Sequence, residues 1–195
     1  MGINDNECIQ DLTTQVIFEI SSAVSNTLSL DEFYRAIHAS LGKIISVDNF
    51  GIALYLKDRD TITFPYFVDE VDKDLTEIAQ VSRKESLTAR VINANKPLLF
   101  TEEDMIRHLT GKVIVGTPAK IWGGVPLKIR GKAFGAMIIQ DYHDRNAIRE
   151  SDLDFLSSVS EFVAMAIERK QIEDEIKQSE KLTKTLFRIS NAILA

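Results

Sequence analysis

The sequence holds one cysteine, Cys8, which excludes an internal disulfide and fits a reducing compartment. No apolar run approaches the roughly 20 residues that span a bilayer. The start, MGINDNECIQ, lacks the basic-then-apolar profile of a secretion signal, and Asn6 stands where a myristoylation pattern needs Ser or Thr. Basic residues are outnumbered 23 to 29, and the net charge of −6 argues against binding a phosphate backbone, which needs a basic face. Three histidines, His38, His108 and His143, are scattered without metal-ligand spacing. His38 falls opposite the apolar stripe of its helix and reads as solvated. His143-Asp144 has no partner histidines for metal-phosphohydrolase chemistry. Ser21, Ser86 and Ser151 have no matched base, and Glu102-Glu103-Asp104 sits at a helix start that favours acids by its dipole alone. An enzyme is therefore disfavoured, with no catalytic residue and no metal expected. A cytoplasmic location is expected, with no nucleic acid and no membrane contact by this segment.

What is present is ordinary for a globular chain: 195 residues, 45% hydrophobic and 27% charged, enough for one domain and some helix outside it. Its most legible stretch is Gly124 to Tyr142. Val125, Leu127 and Ile129 alternate with Pro126, Lys128 and Arg130, and an apolar return runs from Ala133 to Gln140. The pair predicts a β-hairpin with Arg130-Gly131 or Gly131-Lys132 at its tip, since glycine tolerates positive φ.

Residues 1–10 are polar and predict a disordered tail. From Leu12, the residues Val16, Ile17, Ile20, Ala23, Val24 and Leu28 recur at helical spacing. Ser29 and Glu32 match a capping box for a second helix whose stripe is Phe33, Ile37, Leu41, Ile44 and Ile45. Residues 49–56 and 61–68 predict two strands joined by the turn Lys57-Asp58-Arg59-Asp60. Pro65 places the second at an edge or makes it bulge. Asp72 to Gln80 and Ser86 to Asn93 predict short helices, the latter ended before Pro97. Pro97 to Phe100 predicts a strand, Thr101 caps a further helix, and Gly111 to Lys120 reads as a loop.

A helical pattern runs from Arg149, with Ser151 as the expected N-cap. Leu153, Leu156, Val159, Phe162, Val163, Ala166 and Ile167 form a stripe broad enough to pack on a sheet. Beyond Glu168 it narrows to Ile172, Ile176, Ser179, Thr183, Leu186, Ser190 and Ile193, alternating by four and three as a heptad seam does. Polar residues at three of those positions leave a solvated amphipathic tail as the alternative to a coiled coil. Phe18 to Val24 lines up with Phe187 to Ile193, which suggests the first helix of a second, truncated module. The expected division is a tail over 1–10, a sensory domain over 11–170 and a signalling helix over 171–195.

The stretch Ser86 to Leu99 resembles the helix and strand entering the pocket of a bacterial GAF domain. Gly116-Thr117-Pro118, Trp122, Gly124 to Leu127, Gly131, Gly135 and Gln140-Asp141-Tyr142 resemble its central hairpin, and Asp152 to Lys170 its closing helix. The likeness covers about residues 12 to 170 and is to the subtype common in sensor histidine kinases and GGDEF-type cyclases. It implies an α+β fold, a six-stranded antiparallel sheet with the terminal helices on one face and a ligand pocket on the other. It also narrows the chemistry. Cyclic-nucleotide members carry an Asn-Lys, a later Phe and then Asp-Glu. Asn95-Lys96 and Phe134 match, but Ile138-Ile139 stand where the acids belong. Bilin binders need a thioether cysteine, and Cys8 lies in the polar tail. GAF-type methionine sulfoxide reductases need several pocket cysteines.

Strand facing nominates Phe50, Ile52, Leu54, Phe64, Tyr66, Phe100 and Trp122 as pocket residues, with Arg90 available for an anionic group. The alternative is that these aromatics simply fill the core. The expected function is sensing of a small ligand or cofactor that the residues leave unidentified. The signal would pass through a homodimer of terminal helices to an output domain, a histidine kinase or cyclic-di-GMP cyclase, in the same chain. The competing expectation is a structural dimerisation module whose pocket its own side chains fill.

Overall fold

The computed structural model describes residues 5–26, 29–83, 86–109 and 115–193. Its elements are α1 (Asp5–Asn26), α2 (Leu30–Leu41), β1 (Phe50–Leu56), β2 (Thr61–Val68), β3 (Glu77–Ala79), α3 (Leu87–Ala94), β4 (Leu98–Thr101), α4 (Glu102–Leu109), β5 (Ile121–Ile129), β6 (Lys132–Asp141) and α5 (Glu150–Ile193). The strands form one sheet in the order β3-β2-β1-β6-β5-β4, every neighbouring pair antiparallel. This is the expected α+β architecture.

Local chemistry sets the element ends. Ser29 and Glu32 form a full capping box, each side chain accepting from the other's backbone N–H at 3.2 Å. Thr101 and Asp104 repeat the device at the start of α4. The β5–β6 tip is Arg130-Gly131, with φ of 51° and 76°, the paired left-handed geometry of a tight hairpin turn. Asn95 ends α3 at φ 53°, and its side-chain amide donates to the Gly131 carbonyl at 2.9 Å, tying helix to hairpin tip.

Several expectations are corrected. The chain is already helical from Asp5, within the stretch that reads as a disordered tail. α2 stops at Leu41, so Ile44 and Ile45 pack on the core from the following turn. No helix forms over 72–80. Glu77–Ala79 pairs with Thr61–Thr63 as an edge strand, while Leu75 and Ile78 turn into the apolar cluster beneath. Ser151 is not the cap of α5, because the helix already begins at Glu150 and the Asp152 carboxylate accepts from the Arg149 N–H at 2.8 Å, two residues before Ser151. His38 is half-buried rather than solvated. Its ring stacks on Phe50 at 5.1 Å and bonds Val47 O and the Tyr66 hydroxyl, each at 2.8 Å. The carbonyl can only accept, so Nε2 carries the proton and Nδ1 takes Tyr66's. The side chains of Cys8, His108, Ser190 and Ile193 lie outside the described residues.

The sheet divides two cores. On one face α1, α2 and α5 pack Val16, Ile20, Phe33, Ile37, Leu156, Val159 and Val163 against Ile52, Val125, Leu127, Met137 and Ile139. On the other, α3, α4 and the connecting loops cover Ala53, Ile62, Phe64, Trp122, Ala136 and Ile138. α5 serves the first core only through its opening turns. From Glu175 to Phe187 its side chains are exposed, with Ile172, Ile176, Leu182 and Leu186 about half open or more.

Candidate functional site

The second face holds a cavity. Phe64, Phe67, Leu75, Met105, Trp122 and Ile138 make its apolar wall, and Asp72, Thr88, Thr117 and Gln140 bring polar groups to it. β1 turns Gly51 and Ala53 toward this face and β6 turns Ala136. At Gly124 a Cβ would come within 2.6 Å of the Trp122 indole, so glycine lets the ring pack over that position. The cavity volume is about 50 Å³, room for only a few waters.

Two loops cover it. Asp72 accepts from the Thr117 N–H at 2.6 Å and from its hydroxyl at 2.8 Å. Gly116, at φ 88°, brings the backbone so close that a Cβ would sit 3.0 Å from the same carboxylate. The first loop is rooted by Asp69, whose carboxylate takes the Gln140 amide, the Tyr142 hydroxyl and the Val71 and Asp72 N–H groups. Burial, reinforced by Asp69, pushes the Tyr142 phenol well above its ordinary pKa, so it stays a donor. Outside, Glu70 is held below the usual carboxylate range by His143 and then Asn49, and His143 is raised in return. That pair is exposed, and its bond of 3.1 Å adds little to stability.

Of the eight nominated residues, the structure brings Phe64 and Trp122 into the cavity wall. Phe100 stands behind them, its ring 6.1 Å from the indole. Phe50, Ile52, Leu54 and Tyr66 lie on the opposite face, in the helical core. The reason is parity. On β1 the large residues go to the solid face, and the pocket face takes the small ones. On β2 the register slips between Ile52↔Tyr66 and Leu54↔Thr63, a bulge at Phe64-Pro65 that sends Phe64 and Phe67 to the cavity and Tyr66 away. Pro65 signals that bulge in the sequence, and the bulge breaks the simple alternation of faces along the strand. Arg90 is half-buried on α3 and does not line the cavity. Phe67, Met105 and Gln140 went unnominated, and the Asp72–Thr117 clasp joins loops 45 positions apart, which periodicity cannot see. Ile138, where cyclic-nucleotide members carry an acid, lines the cavity, whereas Ile139 faces the helices.

A sheet with terminal helices on one face and a loop-covered cavity on the other is an architecture generally used for small-molecule binding and regulation. The family model for the GAF domain matches residues 27–168, and the chain belongs to that family. Among curated proteins no relative matches. Solved structures share the fold at low identity. The GAF domain of an Acinetobacter phosphoenolpyruvate-protein phosphotransferase is 14% identical, covers 84% of this chain and 98% of its own, and has a TM-score of 0.65. That of a two-component sensor histidine kinase from Bacillus halodurans is 16% identical over 76% and 99%, with a TM-score of 0.60. A free methionine-R-sulfoxide reductase from Neisseria meningitidis, solved with its substrate, is 12% identical over 89% and 96%, at 0.64. GAF domains are typically regulatory and non-catalytic. Among the described residues, no group of three or more His, Cys, Asp or Glu is disposed to hold a metal, and no helix is long and apolar enough to cross a membrane.

Proposed function

We propose that this GAF domain is a cytoplasmic sensor of bacterial signal transduction. Its cavity binds a small ligand, and α5 relays the change to an output domain in the same chain, a histidine kinase or a cyclic-di-GMP cyclase. The observation that carries the reading is the cavity itself, walled by aromatics and held under a two-bond clasp. Its floor strands, β5 and β6, present their other face to α5. A ligand that opens the clasp or shifts Trp122 moves strands on which Leu153, Leu156 and Val159 rest. The exposed seam of Ile172, Ile176 and Leu186 supports pairing of two copies as a coiled coil over residues 171 onward. The chain's one cysteine is in α1, so the cavity has no thiol for the reductase chemistry of the Neisseria relative, and binding is the better reading. The small volume of about 50 Å³ favours a second reading, a dimerisation module with a self-filled pocket.

Native mass spectrometry of freshly purified protein separates the two. A dimer with a retained small molecule is the expected result. A ligand-free dimer supports the structural module, and a ligand-free monomer defeats both.

A further inference from the structure

We infer that the cavity accepts an uncharged single-ring aromatic molecule carrying an N–H or O–H donor, and that it rejects anions. This rests on the proposed ligand-binding reading and goes beyond it by naming the ligand's chemistry. Three observations lead there. The wall is aromatic and aliphatic, with Phe64 and Phe67 edge to face at 5.4 Å and Trp122 over Gly124, surfaces that suit a flat ring. Among the described lining residues there is no Lys, Arg or His, and the one charge is the Asp72 carboxylate. An anion entering there would meet a like charge and, among the described lining residues, no cation. The covering loop adds to that field, since Asp69, Glu70, Asp72 and Asp74 surround a single Lys73.

Size and donor follow from the same groups. The volume of about 50 Å³ falls short of even one ring, so entry requires the 115–118 loop to yield, and each further fused ring would displace more of the wall. When Thr117 lets go, both Asp72 oxygens lose their donors. A ligand N–H or O–H replaces one of them. A ring with no donor leaves that oxygen to water and forgoes a charge-assisted hydrogen bond. The nominated Arg90, which would have welcomed an anion, is not in this wall.

Trp122 is the only tryptophan of the chain, so its emission, excited at the red edge, reports binding directly. The whole chain is titrated with phenol, anisole and benzoate, three compounds of similar size that differ in donor and charge. Phenol is expected to change the emission saturably, anisole to bind about 3–10-fold more weakly, and benzoate to produce no saturable change. Asp72→Asn removes the charge and keeps an acceptor, so it should admit benzoate while shifting phenol less than about threefold. Thr117→Val frees one carboxylate oxygen while the backbone N–H keeps the other, and it should preserve the preference for phenol, which guards against a variant that merely misfolds. Benzoate binding as well as phenol in the unaltered chain overturns the assigned chemistry and leaves ligand binding standing. No saturable response to any of the three also overturns it. In that case a small molecule retained in native mass spectrometry shows that only the ligand class was wrong, and its absence removes the sensing reading as well.

Discussion

The two faces of the sheet are built from the same six strands by opposite uses of size. Toward the helices the central strands carry bulk: Phe50 and Ile52 on β1, Val125 and Leu127 on β5, Met137 and Ile139 on β6, all nearly inaccessible. Toward the cavity face the same strands carry Gly51, Ala53, Gly124 and Ala136, and Phe67 with Ile138 packs over the first glycine as Trp122 with Val91 packs over the second. One face is a packed solid, and the other keeps a cavity of about 50 Å³ between its side chains and the covering loops.

Truncating one residue on each face tests the contrast most strongly. Leu156→Ala, in the helical core, is expected to cost about 2–5 kcal/mol in urea unfolding, whereas Met105→Ala, beside existing space, should cost about 1–2 kcal/mol. Equal losses would show that the cavity face is as tightly packed as its opposite. Alkaline pH probes the solid face next. Burial pushes the Tyr34 phenol up to about 12, so the folded state holds a proton that the unfolded chain gives up near pH 10. A raised pKa contributes stability that is full below the unfolded value and is lost as pH rises toward the folded one. The loss between pH 10 and 12 should therefore reach about 2–3 kcal/mol, and the absorbance change of tyrosine ionisation should coincide with unfolding.

On the open face, Gly124→Ala sets a methyl 2.6 Å from the indole. It should cost about 1–3 kcal/mol and shift the Trp122 emission before any denaturant is added. Unchanged emission would mean that the ring is not seated on the strand. The smallest effect belongs to the clasp. Thr117→Val removes one of two hydrogen bonds on exposed loops, should cost no more than about 1 kcal/mol, and should speed amide exchange over 115–118 while leaving β5 protected.

The architecture was largely readable in the order of residues, because its signals are local. Ser29 with Glu32, the Arg130-Gly131 tip and the stripe Leu153 to Ile167 each state an element within a few positions. Residues 72–80 carry no such signal. An edge strand of three residues is too short for its period to show, so tertiary pairing with Thr61–Thr63 decides the matter. The site was legible only in Phe64 and Trp122, with Phe100 close behind. On β1 the bulky Phe50, Ile52 and Leu54 face the helices rather than the cavity. The bulge at Pro65 then turned Tyr66 to the other side. Met105 and the Asp72–Thr117 clasp come from elements remote in sequence, and nothing in one chain's periodicity links them.

α5 runs without a proline or glycine from Glu150 to Ile193, so it has no built-in hinge. Its root rests on the sheet, and about 35 Å of rod extends past residue 170. A rod fixed at one end is a lever: a tilt of about 5° at the root would carry the far end sideways by about 3 Å. A rearrangement too small to open the cavity visibly would thus become, at the other end of the helix, a displacement comparable to the width of a side chain.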